Sequence, residues 1–339
     1  MNEMLAAFGR AGRVACALAA LGSFAAPAVA APTLTTDGTN AGFTLTQFAT
    51  GFQTVDCCGP LGIAFPTSTT VLVTDYPGNL YQLPDTDGAV ASSGNRLANY
   101  GYHAAVGLAQ VGNRIFVTDQ LHGTVTEIKS DGTVVGTIAT GINTATGIIG
   151  DPVHNVIYVS DCCAGTGIWK IDLANANAKT QLTTGYVDGL AISPDGKTLY
   201  AEVSGHIVGY STSTGTSTYD SGFINGGPDG TALGFGTLAG TIFVNTNTGS
   251  VLQYWLDGSH SPLTIVAGGS RGDFVTADPN GSLLFTQSTD VWRLTPAAGG
   301  CIGNSCVGGG SAVPEPETAG LLGLALVGLV GVARRRRTR

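Results

Sequence analysis

Charged side chains are scarce in this sequence: Asp, Glu, Lys and Arg make up 11% of its 339 residues. Helices draw heavily on Glu, Lys, Leu and Ala, so the shortage argues against a helical architecture. No helical pattern of about 10–15 residues separates the apolar segments of the middle of the chain, which excludes a series of βα units. Basic residues are scarcer still. Between Ala31 and Gly310, 8 Lys and Arg stand against 20 Asp and Glu, a net charge near −12. Such a surface repels nucleic acid and anionic lipid, and it tolerates cationic partners or divalent metals. Also missing is any Ser-His-Asp or His-x-x-x-His arrangement: His103 and His122 lie on loops, and His154, His206 and His260 are scattered. What is abundant is Gly, at 51 positions, with Thr and Ser, the composition of short strands joined by tight turns.

The two ends do not share this composition. Arg10 and Arg13 precede an apolar run from Val14 to Phe24, and Ala28-Val29-Ala30 supplies a small-x-small cleavage site. Residues 1–30 therefore read as a signal peptide cut by signal peptidase after Ala30. At the other end, Val313-Pro314-Glu315-Pro316 leads into an apolar stretch, Ala319 to Ala333, closed by Arg334-Arg335-Arg336-Arg337. As a helix that stretch is about 22 Å long at 1.5 Å per residue, short of the roughly 30 Å of a bilayer core. The Arg cluster holds its end in the cytoplasm. A short, small-residue span suits a transient anchor. Residues 299–312 are Gly-rich and read as a flexible linker.

This three-part tail, residues 313–339, resembles the PEP-CTERM sorting signal. The resemblance implies export across the inner membrane of a Gram-negative bacterium and cleavage near Pro-Glu-Pro by an exosortase-type protease. It also implies release to the cell surface or extracellular matrix, with exopolysaccharide or a surface protein as partner. The membrane is involved only through the tail before processing.

The middle repeats. A Gly followed by a short apolar strand recurs at Gly62, Gly107, Gly147, Gly189, Gly230 and Gly272, at intervals of 45, 40, 42, 41 and 42 residues. About ten residues later come β-rich segments such as Val71-Leu72-Val73 and Ile157-Tyr158-Val159; third and weaker fourth strands follow. Four strands per roughly 42 residues is the period of a propeller blade. The expectation is an all-β, six-bladed β-propeller over residues 31–298. The last repeat lacks its fourth strand, and Phe43–Phe48 is placed to supply it, closing the ring. Pro60-Leu61-Gly62-Ile63-Ala64, Val73-Thr74-Asp75 and Gly78-Asn79, with Asp188-Gly189-Leu190-Ala191, resemble NHL-type repeats and the gluconolactonase superfamily.

Candidate site residues follow from that architecture. Asp75, Asp119 and Asp161 end the second strands of blades 1–3, and Glu202 lies one residue before the matching place in blade 4. Carboxylates converging on an axis offer oxygens to a hard divalent cation such as Ca²⁺; each Asp also suits backbone N–H groups of its own turn. The gluconolactonase resemblance implies a mouth-bound metal and a hydrolase or lactonase activity. Its Glu-Gly-Pro element, however, falls on Cys58-Gly59-Pro60, with Cys in place of the Glu.

Two copies of one motif, Asp56-Cys57-Cys58 and Asp161-Cys162-Cys163, are expected on one face. Six cysteines in an exported chain imply disulfides, with 15 connectivities. Cys301 and Cys306 are placed to pair across a short loop. The vicinal pairs close on themselves or bridge each other, the latter needing Cα separations of about 4.4–6.8 Å. Without a catalytic set, the leading expectation is a binding or structural propeller, the alternative a metal-dependent lactonase.

Overall fold

A computed structural model describes residues 31–163 and 165–303. The signal peptide, the sorting tail with its expected membrane helix, and Cys306 lie outside the described residues. Among the described residues there is one short helix, Thr36–Asn40, capped by the Thr35 side chain, and no helix long and apolar enough to cross a membrane.

Six antiparallel sheets surround a common axis. Blades 2 to 4 are built from consecutive strands and blade 1 from four strands interrupted only by Ala89–Val90; the innermost members of blades 1 to 4 are Pro60–Thr67, Leu108–Val111, Ala145–Asp151 and Leu190–Ile192. Blade 5 starts with Pro228–Gly236 and blade 6 with Val275–Ala277. The hydrophobic core is divided among the gaps between blades, and strand alternation explains how. In blade 3, Ile157 and Val159 pack toward blade 2, while Val156 and Tyr158 pack toward blade 4. In blade 2, Phe116 faces blade 3, while Ile115 and Val117 face blade 1. Successive side chains of a strand point to opposite faces, so each blade supplies two cores at once. The same alternation is why second strands read as near-continuous apolar runs.

Blade 6 takes its fourth strand from the start of the chain. Thr44–Thr50 pairs antiparallel with Val291–Thr295, Thr44 opposite Thr295 and Ala49 opposite Val291. A strap from blade 1 covers this seam: Ala89–Val90 pairs in parallel with Ala49 and Thr50. Arg293, 7% exposed, donates through Nε to Asp87 (2.8 Å) and through Nη2 to Asp85 (2.5 Å), both on the strap. Its Nη1 bonds Asp278 within blade 6.

Both ends of the described chain are fastened to blade 5. Thr33–Leu34 pairs with its outer strand, Leu263–Ala267. Gly300–Ile302 pairs with Gly234–Gly236, the far end of its innermost strand, and Ile302 is wholly buried among Phe243, Phe285 and Leu294. The linker expected from residue 299 therefore does not begin there. Its first residues complete a sheet, because Ile302 supplies apolar surface to the gap between blades 5 and 6.

Candidate functional site

The residues nearest the axis are set by a repeated contact. The amide of Thr118 in blade 2 donates to the Gly107 carbonyl, that of Glu202 in blade 4 to Gly189, and that of Thr286 in blade 6 to Phe274. Phe274, not Gly272, therefore occupies the sixth equivalent of the repeating glycine, and the sequence spacing was two residues short there. A Cβ at Gly189 would collide with the backbone carbonyl of Asp229. This close approach of neighbouring blades explains the glycine.

The residue just before each of these positions forms a ring at one mouth of the axis: Leu61, Val106, Thr146, Asp188, Asp229 and Asp273. Half of it is apolar or neutral and half is acidic. Asp229 and Asp273 are 2% and 5% exposed. One cation serves the acidic half: Arg271 donates to Asp273 Oδ1 through Nε (2.9 Å) and Nη2 (2.7 Å), and its Nη2 lies 3.9 Å from Asp229 Oδ2. Asp229 Oδ1, Asp273 Oδ2 and Asp188 Oδ1 are buried without a hydrogen-bond partner. Burial, then the carboxylates of Asp273 and Glu202, pushes Asp188 up to about 7. Burial and the charge of Asp188 likewise hold Asp229 well above the usual carboxylate range.

The opposite side of the mouth is apolar and aromatic. Cys58, Leu61 and Val106 form a small cluster against which Tyr76 and Phe274 pack. The His103 ring is stacked between Tyr76 and Tyr102, with centroids 3.9 and 3.5 Å apart. The Tyr76 hydroxyl donates to Gln120 (2.9 Å), whose amide reaches Thr146 Oγ1 (3.1 Å). Below the ring the six innermost strands enclose an axial cavity of about 620 Å³ lined by Ile63, Leu108, Ile148, Leu190, Leu233 and Val275. Gly303 lines it beside Pro152 and Pro279, residues of the turns at the face away from the acids.

The residues singled out from the sequence are placed otherwise. Asp75 is fully buried and accepts from the Asn79 amide (2.9 Å), the Asn79 side chain and Tyr81 (3.0 Å). Asp119 accepts from the His122 amide and ring, and Asp161 from Thr144 and Thr166. They serve their own loops and do not converge. Strand alternation is the reason: the column facing the neighbouring blade is Thr74, Thr118, Ser160, Glu202, Asn245 and Thr286, paired across the sheet with Leu80, Val125, Ile168, Ile207, Val251 and Val291. Of the four candidates only Glu202 lies in it. It is 4% exposed, accepts from the Gly205 amide (2.7 Å), and is raised by burial.

Among the described residues no three His, Cys, Asp or Glu side chains are arranged to hold a metal ion. Asp75, Asp119, Asp161 and Glu202 do not fit the divalent metal that the lactonase resemblance implies, since their oxygens are engaged at separate places. The acidic half of the ring was missed because it rests on single Asp residues entering three innermost strands. The recurring Asp-Gly at Asp188-Gly189 and Asp229-Gly230 was its one signal.

Each vicinal cysteine pair closes on itself, Cys57 with Cys58 and Cys162 with Cys163. Both disulfides lie on the mouth side, with Cys58 and Cys162 buried. Cys301 is disulfide-bonded, and its expected partner Cys306 lies outside the described residues.

The fold and mouth define a six-bladed propeller, and comparison with known proteins agrees. Residues 312–337 match the PEP-CTERM protein-sorting motif, which marks the protein for export and exosortase processing. No characterised protein matches the chain by sequence. Among solved structures, the chain is similar to the PQQ domain of pyranose dehydrogenase from Coprinopsis cinerea in its holo form. The match has 12% identity and a TM-score of 0.59, over 78% of this chain and 97% of that one. It is also similar to a streptogramin B lyase, with 16% identity and a TM-score of 0.49, over 75% of this chain and 98% of that one. At these identities the likeness concerns fold alone.

Proposed function

We propose that the protein is a surface or matrix propeller that acts as a binding module through its acidic mouth. The observation that carries this is Asp229, 2% exposed, whose Oδ1 is buried with no hydrogen-bond partner and whose Oδ2 lies 3.9 Å from Arg271 Nη2. Buried polar groups in folded proteins almost always have partners, and an orphan in a concave mouth is a reason to look for a ligand. Signal peptidase removes residues 1–30, the short helix at Ala319–Ala333 holds the chain transiently in the inner membrane, and an exosortase-type protease cuts near Pro314-Glu315-Pro316. The mature propeller then partners an exopolysaccharide or a surface protein of a Gram-negative bacterium. Gly303, the last described residue, lies at the face opposite the acids, so the described chain leaves the propeller on the side away from the mouth.

A glycan array probed with the mature protein tests the reading. The expected result is binding to a restricted set of glycans that an Asp229→Asn, Asp273→Asn double variant loses or changes. Binding that is identical in the double variant and in Tyr76→Ala would place recognition elsewhere and overturn it.

A further inference from the structure

Resting on that binding reading, we infer that the mouth recognises an amino sugar, holding its ammonium group on Asp188, Asp229 and Asp273 and its apolar ring face against Tyr76. Three adjacent blades each leave one carboxylate oxygen without a partner, and two of the three side chains are more than nine-tenths buried. Once ionised, those oxygens only accept hydrogen bonds, so the group that takes the place of the protons burial holds on Asp188 and Asp229 is a donor. A neutral hydroxyl would satisfy an acceptor and leave the charge. Asp188, Asp229 and Asp273 share the single guanidinium of Arg271, so the ionised site is short of positive charge as well as of donors. An ammonium group supplies both, with three N–H donors around one charge.

The site already shows how nitrogen fits. Arg271 places two N–H groups on one oxygen of Asp273 and leaves the second free. A metal ion fits less well, because the acidic side chains are not gathered into a coordination shell. The remainder of the ligand is defined by what adjoins the acids. Phe274 follows Asp273 directly and packs with Tyr76, Leu61, Val106 and Cys58, and the Tyr76 phenol feels the charges of Arg271 and Asp273. A ligand seated on the acids therefore lies alongside an aromatic and apolar wall. A pyranose with an amine at one edge and C–H groups on one face matches both halves.

The test is calorimetric titration of the mature protein with glucosamine oligomers and with N-acetylglucosamine oligomers of the same length. Acetylation removes the charge and leaves the ring. The expected result is that the glucosamine series binds at least about tenfold more tightly. The Asp229→Asn, Asp273→Asn variant should lose that preference while melting as a folded protein. Equal affinity for both series, lost in Tyr76→Ala, would overturn amine recognition and leave the mouth as a glycan site. Binding of neither series would overturn the amino-sugar inference, while the array still reports on the mouth. Stoichiometric calcium that competes with glucosamine would overturn it by making the acids metal ligands.

Discussion

Asp188 carries a chemical consequence that can be measured without any ligand. Its carboxyl is pushed up to about 7 by burial and by Asp273 and Glu202, and Asp229 and Asp273 move in the same direction, Asp273 despite its bonds to Arg271. The groups facing it come from three blades: Glu202, Asp229, Asp273 and Arg271, with the Tyr186 phenol nearby. In the unfolded chain these acids titrate in the ordinary carboxylate range, near 4. Across the window from there to about 7 the folded state holds protons that the unfolded state has released, so stability falls as pH rises. The melting midpoint of the mature protein is expected to be lower at about pH 8 than at about pH 5, and Asp188→Asn to flatten that difference. A midpoint that rises through this window would contradict the burial of these acids. A second test at this scale is Gly189→Ala, which sets a Cβ against the Asp229 carbonyl and is expected to cost about 1–3 kcal/mol in urea unfolding. The sequence pointed to Asp75, Asp119 and Asp161 because they end equivalent strands. It did not reveal which strand face they occupy, and one residue of alternation separates a turn-capping Asp from a column facing the next blade.

At the scale of elements, the six-blade period was legible because every blade repeats the same short apolar segments. The fastenings were not, because they join residues distant in sequence and have no repeat. Arg293 ties the strap residues Asp85 and Asp87 to Asp278 across the closing seam, yet in sequence it is one Arg in one strand. Removing it leaves the buried carboxylates of Asp85 and Asp278 without their cation. Arg293→Met is therefore expected to destabilise the protein by about 3–5 kcal/mol in urea unfolding. A loss below about 1 kcal/mol would mean that the seam is held by the strand pairing alone. Gly300–Ile302 reads as linker in the sequence because Gly299, Gly300 and Gly303 around a lone Ile302 carry no periodicity. Its burial predicts that Ile302→Ala costs about 2–5 kcal/mol, measured in the same way, whereas a residue in a free linker would cost nothing.

On the scale of the whole molecule, the axis has two unlike ends. One carries the acidic ring, the aromatic wall and both vicinal disulfides. At the other the described chain ends beside the turns that close the axial cavity. The sorting motif at residues 312–337 follows Gly303 in sequence, and in the proposed reading a propeller held by its tail presents the mouth outward. A tail that is a handle, and not part of the working protein, is the claim on which this arrangement depends. Intact mass of the protein recovered from the cell surface fraction tests it most directly. The expected mass corresponds to a chain beginning at Ala31 and ending near Pro314-Glu315-Pro316. A mature surface protein that still carries Arg334–Arg337 would contradict it.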